Sequence, residues 1–461
     1  MPYQNPKPAF TLGSTLGLAL AGSAAAATIT VDDDLQDLPS AQFTSLSAAM
    51  AVAQAGDQVL VYPGVYRETL ECSKAVTIVG VDGPNQTVID GEGVRGCAIL
   101  GQASFFQPSS PLTLEGFTLM NGVDTRGGGV QVYDWVRLEN CRIRDCTATL
   151  HGGGIHAGGY YPDLLLELHN VEVSGCTAPY GNGGGICIEG VGPDSEGSWD
   201  HTLTRLLVTG GLQLSDNHAR KGGGLSLANA TFDEIANERG MVRIQGNSAT
   251  YQGGGVHASL SAFLSSKNTQ KQFTGNRSES RSGGGMYFSA QQSVHTSASG
   301  TPILALHEAS FIDNTAFDDG GGLCVHDSNA SVVGSWFEGN TADQGAGGGI
   351  NAFLSNLSVR NTRFKANLAP SDSSSTPSAA GIDALGGSLL IQRGWFEDQD
   401  TAIQVIGCQT GIRGSVFKDN LLALLNQGLQ SELLIRNCYF EGNQQVLDGP
   451  ATNLGGIIIV P

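Results

Sequence analysis

Charge is what this sequence has least of. Only 15% of its 461 residues are Asp, Glu, Lys or Arg, against about 25% in ordinary soluble domains. Basic residues are the scarcer kind: 24 Lys and Arg face 43 Asp and Glu, a formal charge of −19. That balance argues against nucleic acid as a partner, because its binding rests on Lys and Arg at phosphates. A disordered chain is excluded too, since 40% hydrophobic residues suffice to build a core. The nine cysteines contain no CxxC pair, so zinc-ribbon and thioredoxin chemistry have no local signature. HExxH, the P-loop and GxSxG are missing, which removes zincins, Walker ATPases and α/β-hydrolases. Beyond the N-terminus no run is long and apolar enough to span a bilayer as a helix.

The N-terminus itself reads as a targeting segment. Lys7 gives a weakly positive start, Phe10 to Ala21 are apolar, and Ala24-Ala25-Ala26 offers small residues for cleavage. Residues 1–26 are therefore expected to be a signal peptide, and the protein secreted or held at the cell surface.

Glycine is the residue in excess, at 65 copies, and its placement is periodic. Gly127-Gly128-Gly129-Val130, Gly152-Gly153-Gly154-Ile155 and Gly183-Gly184-Gly185-Ile186 begin a series of Gly triplets followed by an aliphatic residue. It continues at Gly222, Gly253, Gly283, Gly320 and Gly347, with a worn copy at Ala379-Ala380-Gly381-Ile382. Ahead of each triplet comes an aromatic or aliphatic residue, two variable positions and Asn, as in Phe273 to Asn276 and Phe337 to Asn340. The Asn series is Asn217, Asn247, Asn276, Asn314, Asn340, Asn367, Asn420 and Asn443; Cys146 and Cys176 hold the same phase earlier. Self-similarity of this kind marks a stacked repeat architecture.

Strand-like runs of three to five residues lie between the signals, and amphipathic helical periodicity is absent there, so helical solenoids fall away. The sequence predicts an all-β, right-handed parallel β-helix solenoid with a short N-terminal capping helix. A β-propeller would need about four strands per period, more than the unit holds. Asn suits a recurring turn, where stacked amides would form a ladder; the Gly triplet suits a corner too crowded for Cβ atoms. The expected organisation is a cap and first coils over 27–120, repeats over 121–455 and a tail at 456–461. Within the first part, Ser45 to Ala55 reads as one amphipathic helix ending at Gly56.

The paired Phe-x-x-Asn and Gly-Gly-x-aliphatic signals resemble the repeats of polymorphic outer-membrane proteins, within the wider pectin-lyase-like group of β-helices. That resemblance covers roughly Asn121 to Asn443 and implies a surface-exposed, adhesin-like passenger. Its C-terminal β-barrel has no counterpart before Pro461. Phe43 to Glu68, closing on Gly64-Val65-Tyr66-Arg67-Glu68, resembles the opening of pectin methylesterases, but their Gln and Asp motifs do not follow. The resemblance implies fold, not reaction.

Candidate binding residues follow from strand alternation. If the aliphatic after each triplet points inward, the next residue points outward. That position reads Gln131, His156, Cys187, Ser226, His257, Tyr287, Cys324, Asn351 and Asp383. A polar and aromatic stripe of this kind suits sugar hydroxyls or a protein partner; an ordinary solvated face is the alternative. Insertions after the same strand would build a wall beside it, where Tyr160, Tyr161, Trp199 and Phe263 could stack on sugar rings. No catalytic residue is assigned, because the stripe holds one carboxylate and no Arg or Lys, whereas glycosidases normally need two carboxylates. Surface display, adhesion or glycan binding is the expected function, with a polysaccharide lyase or glycoside hydrolase as the alternative.

No cofactor is expected. Gly91 to Gly96 matches GxGxxG by letter but lacks the strand–helix setting. Ca²⁺ could sit at Asp32-Asp33-Asp34 or Asp318-Asp319, which otherwise read as solvated turns. Cys146 and Cys176 are a candidate disulfide: on adjacent coils their Cα atoms would stand about 4.8 Å apart, within bonding range.

Overall fold

The computed structural model describes residues 26–102, 110–159, 164–190, 204–235, 240–267, 269–289, 304–369, 378–428, 431–453 and 455–460. The coil is built from short parallel strands that each pair with the equivalent strand one rung on. Ile186–Glu189, Thr204–Val208, Leu212–Ser215 and His218–Lys221 form one rung. They pair in turn with Leu225–Ala228, Thr231–Glu234, Met241–Gln245 and Ser248–Gln252, always in parallel. Repeated along the chain, this gives sheets of 28, 15 and 8 strands among the described residues. The largest combines two faces, joined where Ile350–Arg360 and Ile382–Gln392 run straight through the corner. The fold is a right-handed parallel β-helix, the hand that parallel crossovers take.

Two internal stacks hold the rungs together. Phe273, Phe311, Phe337, Phe364, Phe396, Phe417 and Phe440 lie face to face along the axis, with centroids 4.3 to 5.0 Å apart. Three residues after each of the first four stands a buried Asn. Asn276 donates from Nδ2 to Asn314 Oδ1 (2.9 Å) and to the Ile244 carbonyl (2.8 Å), while its backbone N–H also reaches Asn314 Oδ1 (3.0 Å). The pattern runs unbroken from Asn217 to Asn367. Gln399 then takes the Asn position, and Asn420 and Asn443 resume the series.

The left-handed turn belongs to the residue before Asn rather than to Asn itself. Asp216, Asp313 and Asp419 have φ of 53 to 55°, and Gly246, Gly275 and Gly339 have 60 to 63°. Gly and Asp bear that conformation with least strain. The triplets are crowded for three separate reasons, as one copy shows. Gly183 (φ +69) lies against Cys187, where an added Cβ would meet the Cys187 Cβ at 2.7 Å. One on Gly184 would meet the Gly223 and His218 carbonyl oxygens at 2.5 Å, and one on Gly185 would meet Gly224 O at 2.6 Å.

Several expectations need correction. Cys146 and Cys176 do stand on adjacent rungs, Ile143 pairing with Val173, but both are free buried thiols. Each sulfur meets the carbonyl two residues before it, Arg144 O at 3.2 Å and Ser174 O at 3.3 Å, and the two thiols also interact with one another across the rungs. The helix spans Leu46–Val52, shorter than expected. Asp57 takes the N–H groups of Gln54 and Ala27 at 2.8 Å and draws the chain into the strand Gln58–Val61. Ser45 caps the start, and Glu68 accepts from the Leu46 and Ser47 amides. The segment read as a tail carries the strand Ile458–Val460, paired to Tyr439–Glu441. Phe263 is a core residue stacked on Phe232 at 4.2 Å, not part of a wall.

Candidate functional site

The post-triplet stripe lies outside the apolar core, yet solvent hardly reaches it. His156, Cys187, Ser226, His257, Cys324, Asn351 and Asp383 are all buried, and Tyr287 half-buried. What covers them is the chain arriving at each triplet: the first Gly folds directly over the Cβ of the stripe residue, as at Gly283 over Tyr287. The residues just before it then stand beside the stripe as a wall. Stripe and wall enclose a recess of about 500 Å³ lined by Tyr251, Gln252, Arg281, Asp318, Asp319, Tyr287, Cys324, His326, Asn351, Phe353, Asp383 and Leu385.

Of the sequence-derived candidates, Tyr287, Asn351 and Asp383 meet in this recess. His257 lies directly behind Tyr287, the rings stacked at 5.5 Å and 7°. His156 and Ser226 sit on earlier rungs of the stripe, outside it. Tyr160, Tyr161 and Trp199 fall outside the described residues, as does the signal segment up to residue 25. Asp318 and Asp319, considered only for Ca²⁺, are wall residues. Asp32 accepts the Leu38 amide at 2.6 Å and Asp34 the Gln36 amide at 2.9 Å, and with Asp37 each brings a carboxylate oxygen within 4.8 Å of the others.

Asn351 donates from Nδ2 to Asp383 Oδ2 at 3.2 Å. Burial, reinforced by the negative charge of Asp319, pushes the Asp383 carboxyl up to about 7. Burial also raises Asp319, although its Oδ1 accepts the Ala346 amide at 2.9 Å. Burial, aided by Lys221 and Arg220, pushes His257 down to about 3 and so keeps it neutral. Tyr251 is ringed by Arg220, Lys221 and Arg281, each 5.5 to 5.6 Å from its centroid. His326 stacks on Phe353 at 4.8 Å. The site therefore offers aromatic faces, an amide, a guanidinium and a carboxyl poised near neutrality.

Sequence reasoning missed the wall: Tyr251, Arg281, Asp318 and Asp319. A signal existed, since these residues recur immediately before the triplets, but only the position after them was read. Two other recesses, of about 620 and 610 Å³, lie on the opposite sheet. Cross-strand ladders engage part of their polar lining, Arg142 with Glu172 and Arg363 between Trp336 and Trp395.

No family model matches the chain, and no curated protein matches it. Among solved structures it is similar to the catalytic unit of a thermostable GH87 α-1,3-glucanase from Streptomyces thermodiastaticus strain HF3-3. That match has 13% identity and a TM-score of 0.30, covering 90% of this chain and 63% of the glucanase unit. It is also similar to the A-module of the Azotobacter vinelandii mannuronan C-5 epimerase AlgE6, again at 13% identity and TM-score 0.30, over 90% of this chain and 93% of the module. The chain thus spans less than two thirds of the glucanase unit. Superposition this loose carries no chemistry across. Among the described residues no helix is long and apolar enough to cross a membrane.

Proposed function

We propose that this β-helix binds a glycan chain in the recess between the stripe and the pre-triplet wall, as an exported protein of surface display or adhesion. One observation carries the reading: Tyr251, Tyr287 and Phe353 converge with Arg281, Asn351 and Asp383 on one cavity. Aromatic faces suit the apolar faces of sugar rings, and a few placed polar groups suit hydroxyl recognition. A glycan array read with purified protein tests this. Tyr287→Ala should weaken binding at least tenfold while melting stays within a few degrees; unchanged affinity would sink the proposal.

A second reading, a glycoside hydrolase or lyase at the same place, is favoured by the two carboxyls Asp319 and Asp383. The first comes from the wall and the second from the stripe. A carboxyl near 7 is matched to proton donation at neutral pH, and a second carboxylate is what hydrolysis needs. Reducing-sugar and unsaturated-uronate assays on the bound glycan decide. Turnover that Asp383→Asn abolishes with binding intact supports the enzyme, and absence of turnover leaves a binding protein.

A further inference from the structure

We propose a divalent transition-metal site, most suited to zinc, formed by His151, Cys187 and Glu189 near the N-terminal end of the stripe. His151 closes the strand Thr147–His151, and Cys187 and Glu189 stand two apart on Ile186–Glu189, hence on one face of it. One donor atom from each of the three lies within 4.8 Å of the others. A tetrahedral shell with Zn–N near 2.0 Å and Zn–S near 2.3 Å has donor edges of roughly 3.3–3.8 Å, so a small side-chain movement closes it.

The histidine and the carboxylate are already oriented. Glu189 Oε1 stands 3.8 Å from His151 Nδ1, while Oε2 is hydrogen-bonded to His156 Nε2 at 3.1 Å. His156, 3% exposed, would thus be an outer partner steering a ligand, as metal-bound carboxylates commonly have. Its Nδ1 finds no partner, so the cluster is not a hydrogen-bond network complete in itself. His151 Nδ1 accepts the Asn182 amide at 3.1 Å, which places the imidazole proton on Nε2 and a lone pair on Nδ1. That lone pair would exchange the N–H for the metal.

The donor set of one thiolate, one imidazole and one carboxylate selects zinc or cobalt over calcium and magnesium. On binding, the Cys187 thiol releases its proton to solvent, and the thiolate and carboxylate together cancel the charge of a divalent ion. Three protein ligands leave a fourth position for water. Six strand pairings separate Cys187 from Asp383, about 29 Å. This site therefore stands or falls independently of the recess.

The test uses the full chain, stripped of metal and titrated with Co²⁺ and then Zn²⁺. One equivalent of Co²⁺ should produce a thiolate-to-metal charge-transfer band that Zn²⁺ displaces. Cys187→Ser should lose the band, and His151→Gln and Glu189→Gln should bind Zn²⁺ at least tenfold more weakly, each checked for a native far-UV spectrum. If Cys187→Ser does not fold, the other two variants carry the test, His151 being partly exposed. No bound equivalent, a band that survives Cys187→Ser, or unchanged affinity in His151→Gln would each overturn the assignment.

Discussion

Asp383 shows how one residue's place decides its chemistry. By sequence it is the only carboxylate of the stripe; in the fold it is buried against Asn351 with Asp319 nearby. Its unfolded carboxyl titrates near pH 3.9, and its folded one at about 7. Between those values the folded state keeps a proton that the unfolded chain has lost. Its contribution to stability is therefore fully present below about pH 4 and is lost as the pH rises toward 7. Asp383→Asn should raise the melting temperature more at pH 8 than at pH 4. Equal shifts at both pH values would show that the carboxyl titrates normally. His257 works in the opposite sense: neutral and buried, it opposes protonation as the pH falls from 6.5 toward 3.

At the scale of elements, stability depends on stacks rather than on any strand alone. Asn340 illustrates the ladder. Its amide accepts from Asn314 and donates to Asn367 Oδ1 and to the Phe311 carbonyl, each at 2.8 to 3.1 Å. Leu has the same branching and heavy-atom count, though it is bulkier, but can make none of these bonds, and it leaves buried amides and a carbonyl unpaired. Asn340→Leu should cost about 1–3 kcal/mol for each group so stranded, read as a fall in the urea midpoint. An unchanged midpoint would mean that the ladder is incidental. The ladder was legible as a recurring Asn, although the turn geometry was assigned one residue late. Asp or Gly before Asn, at Asp216, Gly246, Gly275, Asp313 and Gly339, was the sign that the left-handed residue precedes it.

For the whole molecule, the charge of −19 acts on any ligand that approaches. An acidic protein repels polyuronides at long range, and salt shortens that reach to about 8–10 Å at physiological strength. Neutral glycans should therefore bind tighter than polyuronides at low salt, and the gap should narrow as salt rises. A polyuronide preference that weakens with added salt would instead point to a local basic contact, with Arg281 the candidate in the recess.

Some of this was settled along the chain itself. Repetition in phase is a one-dimensional property, so the Gly triplets and Phe-x-x-Asn units determined the solenoid, its rung-by-rung register and the stripe's position. Burial of the stripe was not readable there. Alternation gives the face of a strand on which His257 or Asp383 lies, but not what returns to cover that face. Only the closed coil brings Arg281 and Asp319, which precede the strands Met286–Ser289 and Leu323–His326, beside Asn351 and Asp383 on later rungs. The same limit explains Phe263, which read as a wall residue because its strand was taken for an insertion. It hid the cluster of His151, Cys187 and Glu189 as well, since two of its members share a strand and the third arrives from the preceding rung. Covering, proximity and titration belong to the tertiary structure, because each depends on distances that sequence separation does not encode.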